Sequence, residues 1–251
     1  MIKNLAIVQA RMGSSRLPGK VLLSLGGKLV IDCVYDQILK CKNIDEIIIA
    51  TSIDQNNIPL LAHCTAKGYR VFVGSEDDVL DRFYQVAKLI RPHNIVRITA
   101  DCPLIDPKII DKTICRFIET NVDYCNNLDG GFQFPDGLDI EIFSFQSLER
   151  SWLEARKMSE REHVTPYIRN NNIFSKSYLS ADKDYSSVRI TLDEERDYLV
   201  IQNIIKVLRE YNMFDFCLDD IMDIWNCYPE IRNQNQDIQR NEGYFKSIKN
   251  D

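Results

Sequence analysis

The chain has 251 residues, 45% hydrophobic and 27% charged, which suits one α/β domain with a sizeable buried core. A net charge of −6 argues against broad binding of nucleic acid. No apolar stretch approaches transmembrane length, so the expected location is the cytoplasm. The eight cysteines are scattered, with no Cys-x-x-Cys pair, which suits reduced thiols and not a metal cluster or redox motif.

Leu5-Ala6-Ile7-Val8 is an apolar run that reads as a buried first strand. It feeds a loop carrying Gly13 and Gly19, Ser14 and Ser15, and the three cations Arg11, Arg16 and Lys20. Glycines let backbone N–H groups approach phosphate oxygens, and the cations add positive charge, so the loop reads as an anion site. A basic surface turn is the competing reading. A Walker loop is excluded, because five residues separate Gly13 from Gly19 and Val21 stands where the magnesium-binding hydroxyl belongs.

Ile31, Val34, Tyr35, Ile38 and Leu39 recur at helical spacing and predict a helix over 30–40. Residues 46–51 form the second strand. A helix over 59–67 stops at Gly68, and 69–73 form the third strand. Ser75 is the expected N-cap of the next helix, with Glu76, Asp77 and Asp78 in its first turn and Arg82 facing the site. A strand over 95–100 delivers Asp101, and another helix starts near Pro107. This alternation predicts an α/β fold with a mostly parallel sheet sandwiched by helices. The ligand then sits beyond the carboxyl ends of the strands, where the first loop and Asp101 both lie.

From Tyr124 the rhythm changes. Turn signals at Gly130-Gly131 and Pro135-Asp136-Gly137 precede an alternating stretch, 138–143, which puts Asp139 and Glu141 on one face of a half-exposed strand. A helix is expected over 160–170, bent or broken by Pro166. Residues 188–192 read as a further strand that delivers Asp193. Arg97, inside a buried strand, is expected to form a structural ion pair. From pattern alone, Asp101 and Asp193 have two readings, as ligands of a magnesium ion between nucleotide phosphates or as helix caps. Asp139 reads as a ligand of metal or of substrate hydroxyls, or as an ordinary strand residue.

The run Ala10-Arg11-Met12-Gly13-Ser14-Ser15-Arg16-Leu17-Pro18-Gly19-Lys20 resembles the opening of the cytidylyltransferase-like family of spore coat polysaccharide biosynthesis protein F. More distantly it is similar to the 3-deoxy-manno-octulosonate and acylneuraminate cytidylyltransferases. Similar blocks follow in order at 74–82, 97–107, 135–141 and 161–168. The resemblance implies a Rossmann-like nucleotide-diphospho-sugar transferase fold of GT-A type, in a single domain over 1–251. Its expected parts are a nucleotide-binding half (1–125), an acceptor-binding half (126–215) and a C-terminal extension (216–251).

It further implies an enzyme that moves CMP from CTP to a sugar acid or related acceptor and releases pyrophosphate, with Mg2+ as cofactor, for surface polysaccharide or glycan synthesis. On that reading Ala10, Arg11, Met12, Gly13, Ser14 and Ser15 cradle the nucleotide, and Arg16 and Lys20 neutralise the triphosphate. Asp101 and Asp193 hold the metal, Asp101 joining Arg16 and Lys20 in catalysis. Asp139, Glu162 and His163 face the acceptor. Glu194-Glu195-Arg196-Asp197 departs from the Thr-Pro-Glu-Asp that the family often carries after its last strand. Glycosyl transfer from a nucleotide sugar is the alternative activity, although Asp139-Ile140-Glu141 is the nearest approach to an Asp-x-Asp motif. A nucleotide-binding scaffold without turnover is the non-enzymatic alternative. The expected partners are CTP and a small sugar-like acceptor, with a homodimer admitted and neither nucleic acid nor membrane.

Overall fold

The structure, a computed structural model, describes residues 2–240, 244, 247, 248 and 251. Its organising strand is β1 (Asn4–Gln9), which pairs in parallel with β4 (Glu46–Ser52) on one side and β6 (Asn94–Thr99) on the other. Side chains alternate across it, so Ala6 and Val8 enter one core layer and Leu5 and Ile7 the other. All four are fully buried, as a strand covered on both faces requires. β2 (Ser24–Leu25) and β3 (Lys28–Leu29) form a separate ribbon. β5 (Val71–Gly74) extends the parallel side beyond β4.

On the other flank the direction changes. β8 (Glu141–Ser144) lies antiparallel between β6 and β7 (Tyr124–Asn126), and β9 (Lys176–Tyr178) closes the edge parallel to β7. The order is β5-β4-β1-β6-β8-β7-β9. One face packs α1 (Val30–Ile38), α2 (Ile58–Lys67), α4 (Pro107–Thr120), α8 (Glu195–Glu210), α9 (Leu218–Cys227) and α10 (Pro229–Arg232). The other packs α3 (Val79–Ile90), α5 (Phe145–Glu154), α6 (Met158–His163) and α7 (Pro166–Asn170). The expected mostly parallel, helix-covered sheet is present. All eight cysteines are free thiols, and no helix among the described residues is long and apolar enough to cross a membrane.

Five local expectations are corrected. α3 begins at Val79 with Asp78 as its N-cap, accepting from the Asp81 N–H at 2.8 Å, so the acidic run 76–78 precedes the helix. Arg82 does not face the site. It is fully buried and donates from Nε to the Ser75 carbonyl at 2.9 Å, locking the loop before α3. The stretch 138–143 is not half-exposed: Glu141 is 2% exposed, because β8 lies inside the sheet and not at an edge.

The helix expected over 160–170 is two helices. The break falls at Val164, fully buried with φ 72°, where the Thr165 N–H donates to the His163 carbonyl at 2.8 Å in a γ-turn. A β-branched residue in that conformation is strained, and it persists because packing on both sides fixes it. Residues 188–192, finally, are no regular strand. A single bridge between Asp136 and Arg189 holds them beside the sheet.

Candidate active site

Backbone register builds the first part of the site. Gln9 at the end of β1 lies opposite Thr99 at the end of β6, so the loop after β1 and the turn after β6 leave the same carboxyl edge side by side. The Ala100 N–H then donates to the Gln9 carbonyl at 2.9 Å, and the Leu192 N–H to the Asp101 carbonyl at 2.8 Å. That last bond fixes residue 193 next to residue 101, although more than a third of the chain separates them.

The Lys20 ammonium joins them. Its Nζ donates to Asp101 Oδ2 at 2.8 Å, to Asp193 Oδ1 at 2.9 Å and to the Leu192 carbonyl at 2.8 Å. Burial alone would lower the Lys20 pKa, but the charges of Asp101 and Asp193 outweigh it and the net shift is upward. Burial likewise opposes ionisation of Asp101, yet the adjacent Lys20 holds its carboxyl down at about 2. Arg16 closes the cluster from the loop, with Nη2 at 3.0 Å from Asp193 Oδ2 and Nη1 at 3.5 Å from Glu194 Oε1. Two carboxylates thus converge on one position, which a cation already fills.

Beneath Asp193 lies a residue that the sequence reading missed. Arg189 grips Asp197 with Nε and Nη2 at 2.9 and 2.8 Å and reaches Asp136 Oδ2 with Nη1 at 2.8 Å. Asp197 in turn accepts the N–H groups of Asp193 and Glu194, both at 3.0 Å, and so sets the turn that aims Asp193. The signal was a cation inside an apolar run, since a buried guanidinium requires a carboxylate partner. Gly137 is needed at this junction. Its φ is 110°, and a Cβ there would stand 2.5 Å from the Thr191 nitrogen.

The loop after β1 is folded on itself. The Met12 carbonyl accepts from Ser14 at 3.0 Å and from Gly19 at 2.9 Å, with Gly19 at φ 72° turning the chain toward Lys20. The Met12 N–H donates to Asn57 Oδ1 at 2.8 Å, and Arg11 pairs with Glu76 at 2.9 Å. Ala10 is buried under the loop, and a Cβ added at Gly13 would stand 3.9 Å from the Glu76 carboxylate. Ala10, Arg11 and Met12 therefore bond toward the β4 side of β1, Ser14 bonds within the loop, Ser15 is exposed on it, and Arg16 and Lys20 reach the carboxylates beyond β6.

A polar cavity of about 460 Å³ opens beside Asp101 and Asp193. It is the size of a small-molecule site. Arg97 and Glu141 pair across its floor, Arg169 and Asp129 along one wall, and Arg240 and Asp139, at 2.7 Å, along another. Arg97 thus forms its expected ion pair, but inside the cavity. His163 and Thr165 reach the cavity from the two sides of the Val164 turn. Burial, with Arg97 nearby, lowers the His163 pKa, which leaves its imidazole neutral at pH 7. Its Nε2 lies 3.0 Å from Ser247 Oγ. Glu162 is not among the residues that line the cavity, and it accepts from Ser247 Oγ at 2.6 Å. Asp136, pushed up by burial and by the charge of Asp139, has a pKa of about 7.

A family model described as cytidylyltransferase matches residues 5–237. The chain is 37% identical over 202 residues to the spore coat polysaccharide biosynthesis protein SpsF of Bacillus subtilis, covering 77% of this chain and 82% of that one. It is also similar to the solved structure of a cytidylyltransferase from Leptospira borgpetersenii, with TM-score 0.87, 30% identity, and coverage of 96% of this chain and 100% of that one. The fold is shared with a CMP:2-keto-3-deoxy-manno-octonic acid synthetase solved in complex with CTP, at TM-score 0.61, 17% identity, and coverage of 83% and 99%. With a cation-flanked pair of carboxylates at the carboxyl edge of such a sheet, this chain belongs to the cytidylyltransferase family and is a nucleotidyltransferase enzyme.

Proposed function

We propose that the enzyme transfers CMP from CTP to a hydroxyl of a small sugar-like acceptor, releasing pyrophosphate, in the synthesis of a surface polysaccharide or glycan. The observation that carries this reading is the convergence of Lys20, Arg16, Asp101 and Asp193 at one sheet edge, beside a polar cavity. The family match and the CTP complex of a protein of the same fold support the base.

The donor set suits a divalent ion. Asp101 and Asp193 would supply two carboxylate oxygens, and magnesium commonly takes one or two carboxylates and completes its shell with substrate phosphates and water. No group of three or more His, Cys, Asp or Glu side chains fit to hold a metal occurs among the described residues, so the nucleotide must bring the remaining ligands. When bound, the ion would neutralise charge on the triphosphate. In this mechanism the acceptor oxygen attacks the α-phosphorus as the bond to the β-phosphate breaks. Arg16 and Lys20 hold the developing negative charge of the leaving pyrophosphate. The backbone of 10–15 and Arg11 hold the nucleoside, and Asp139 and His163 orient the acceptor. Residues 1–125 then serve mainly the nucleotide and 126–215 the acceptor, with Asp193 crossing over.

The test is pyrophosphate release measured with each of the four nucleoside triphosphates and magnesium against a panel of sugars, polyols and sugar acids. Release with CTP above the other three is the expected result. Transfer from a preformed nucleotide sugar without pyrophosphate would replace this reading with glycosyl transfer.

A further inference from the structure

Resting on the cytidylyltransferase reading, we infer that Arg240 is a specificity-determining residue for the acceptor: it holds Asp139 in place and donates to an oxygen of the acceptor itself. The residue lies beyond the segment 5–237 that the family model matches, yet it lines the cavity beside Asp101 and Asp193. Its neighbours along the chain bring it there. Asn235, fully buried, donates from Nδ2 to Asp197 Oδ1 at 2.8 Å and to the Arg189 carbonyl at 3.1 Å, beneath the turn that aims Asp193. Tyr244 also lines the cavity, its ring edge-on to His163 at 5.2 Å between centroids, and Ser247 donates to Glu162 Oε2 at 2.6 Å. These contacts run in chain order from Asp197 to His163 and Glu162, and Arg240 stands between them.

Arg240 clips a single turn of the cavity wall. Its Nη2 donates to Asp139 Oδ1 at 2.7 Å, its Nη1 donates to the Phe134 carbonyl at 3.2 Å, and its Nε lies 3.8 Å from Asp136 Oδ1. These bonds engage one N–H of each terminal nitrogen, so the fork keeps further donors. The pair is reachable from the cavity, because the Arg240 side chain is 21% exposed and that of Asp139 28%. The bond to Arg240 uses Oδ1 of Asp139 and leaves Oδ2 to accept. An acceptor oxygen can therefore accept from the guanidinium while a neighbouring hydroxyl donates to Asp139 Oδ2, and the ion pair stays intact. Without the fork, Asp139 would lose the group that fixes its orientation. Choice among acceptors then follows from which of them sets two adjacent oxygens against this pair.

The experiment uses the full chain with CTP and magnesium and measures pyrophosphate release with mannose, ribitol, glucuronate, 3-deoxy-manno-octulosonate and N-acetylneuraminate. Arg240→Ala should raise KM by about tenfold for the compounds that the parent uses, the size of one lost charge-assisted contact. The KM for CTP, kcat and the melting temperature should change little. Arg240→Lys should recover part of the loss, because lysine keeps the charge beside Asp139 but not the fork. An unchanged acceptor KM in Arg240→Ala would overturn the inference. So would KM values for CTP and acceptor that rise together as the melting temperature falls, which is how a residue that only props the wall would behave. Release with none of the five compounds would sink the underlying reading and this inference with it, whereas release with an acceptor KM indifferent to Arg240 sinks only this one.

Discussion

The two flanks of the sheet do related work by different means. On the parallel flank, β1 and β6 end in register, and main-chain bonds from Ala100 to Gln9 and from Leu192 to Asp101 fix where Asp101 and Asp193 stand. On the antiparallel flank, the cavity wall is assembled from β6, β8, the 126–140 loop, α7 and residue 240, and side-chain ion pairs hold it together. A backbone-built edge tolerates little change in its few charges, because they share one point. A wall of separate pairs can lose one and keep the rest. The parallel edge should therefore carry the chemistry and the antiparallel wall the choice of acceptor.

The largest effect should come from the shared point. Asp193→Asn and Asp101→Asn are each expected to lower kcat by roughly 100-fold or more, since each removes a preorganised charge at the reacting phosphates. Part of the loss should return at higher magnesium. Because Lys20 stands between the two carboxylates, neutralising either one removes an attraction, so stability should fall by about 1–2 kcal/mol, most clearly for Asp101 with its depressed pKa. Steady-state kinetics and thermal melts of the same preparations check both. Near-normal turnover in either variant would break the contrast between the flanks.

Arg16→Lys should act at the same edge but more mildly. Arg16 spans Asp193 and Glu194 with two nitrogens, and a lysine offers one point charge in place of a fork. We expect KM for CTP to rise by about tenfold, with acceptor KM almost unchanged. A change confined to the acceptor KM would move Arg16 from the nucleotide to the acceptor flank.

How much of this was legible in the sequence follows the same division. The parallel strands, Asp101 and the cationic loop could be read, because periodicity reports burial and a strand's end reports the sheet edge. Asp193 was placed correctly beside Asp101 although its segment is not a strand, since one backbone bond suffices to align it. The ion-pair wall was largely unread: Arg169, Arg240 and Asp136 meet their partners across 40, 101 and 53 residues, and nothing local encodes such a pairing. The γ-turn at Val164 was hidden for another reason. Pro166 marked a break near it, but only tertiary packing holds a valine at positive φ.

The smallest predicted effect concerns the wall alone and is read as stability. Asp136 has a pKa of about 7 in the folded chain, above its ordinary 3.8, because burial and the charge of Asp139 disfavour its ionised form. A carboxyl with a raised folded pKa favours folding fully below pH 3.8, and that contribution is lost as pH rises through about 7. Asp136→Asn removes the titration while its side-chain oxygen can still accept from Arg189, whose charge stays paired with Asp197. The melting temperature of the variant relative to the parent should therefore climb with pH, and be higher at pH 8 than at pH 5 by about 2–4 °C, the equivalent of about 1 kcal/mol. Melts across that range check it. A difference that stays flat would mean that Asp136 is ionised throughout, held by Arg189 and Arg240 more strongly than burial opposes it. The wall would then be as rigidly charged as the Lys20 edge.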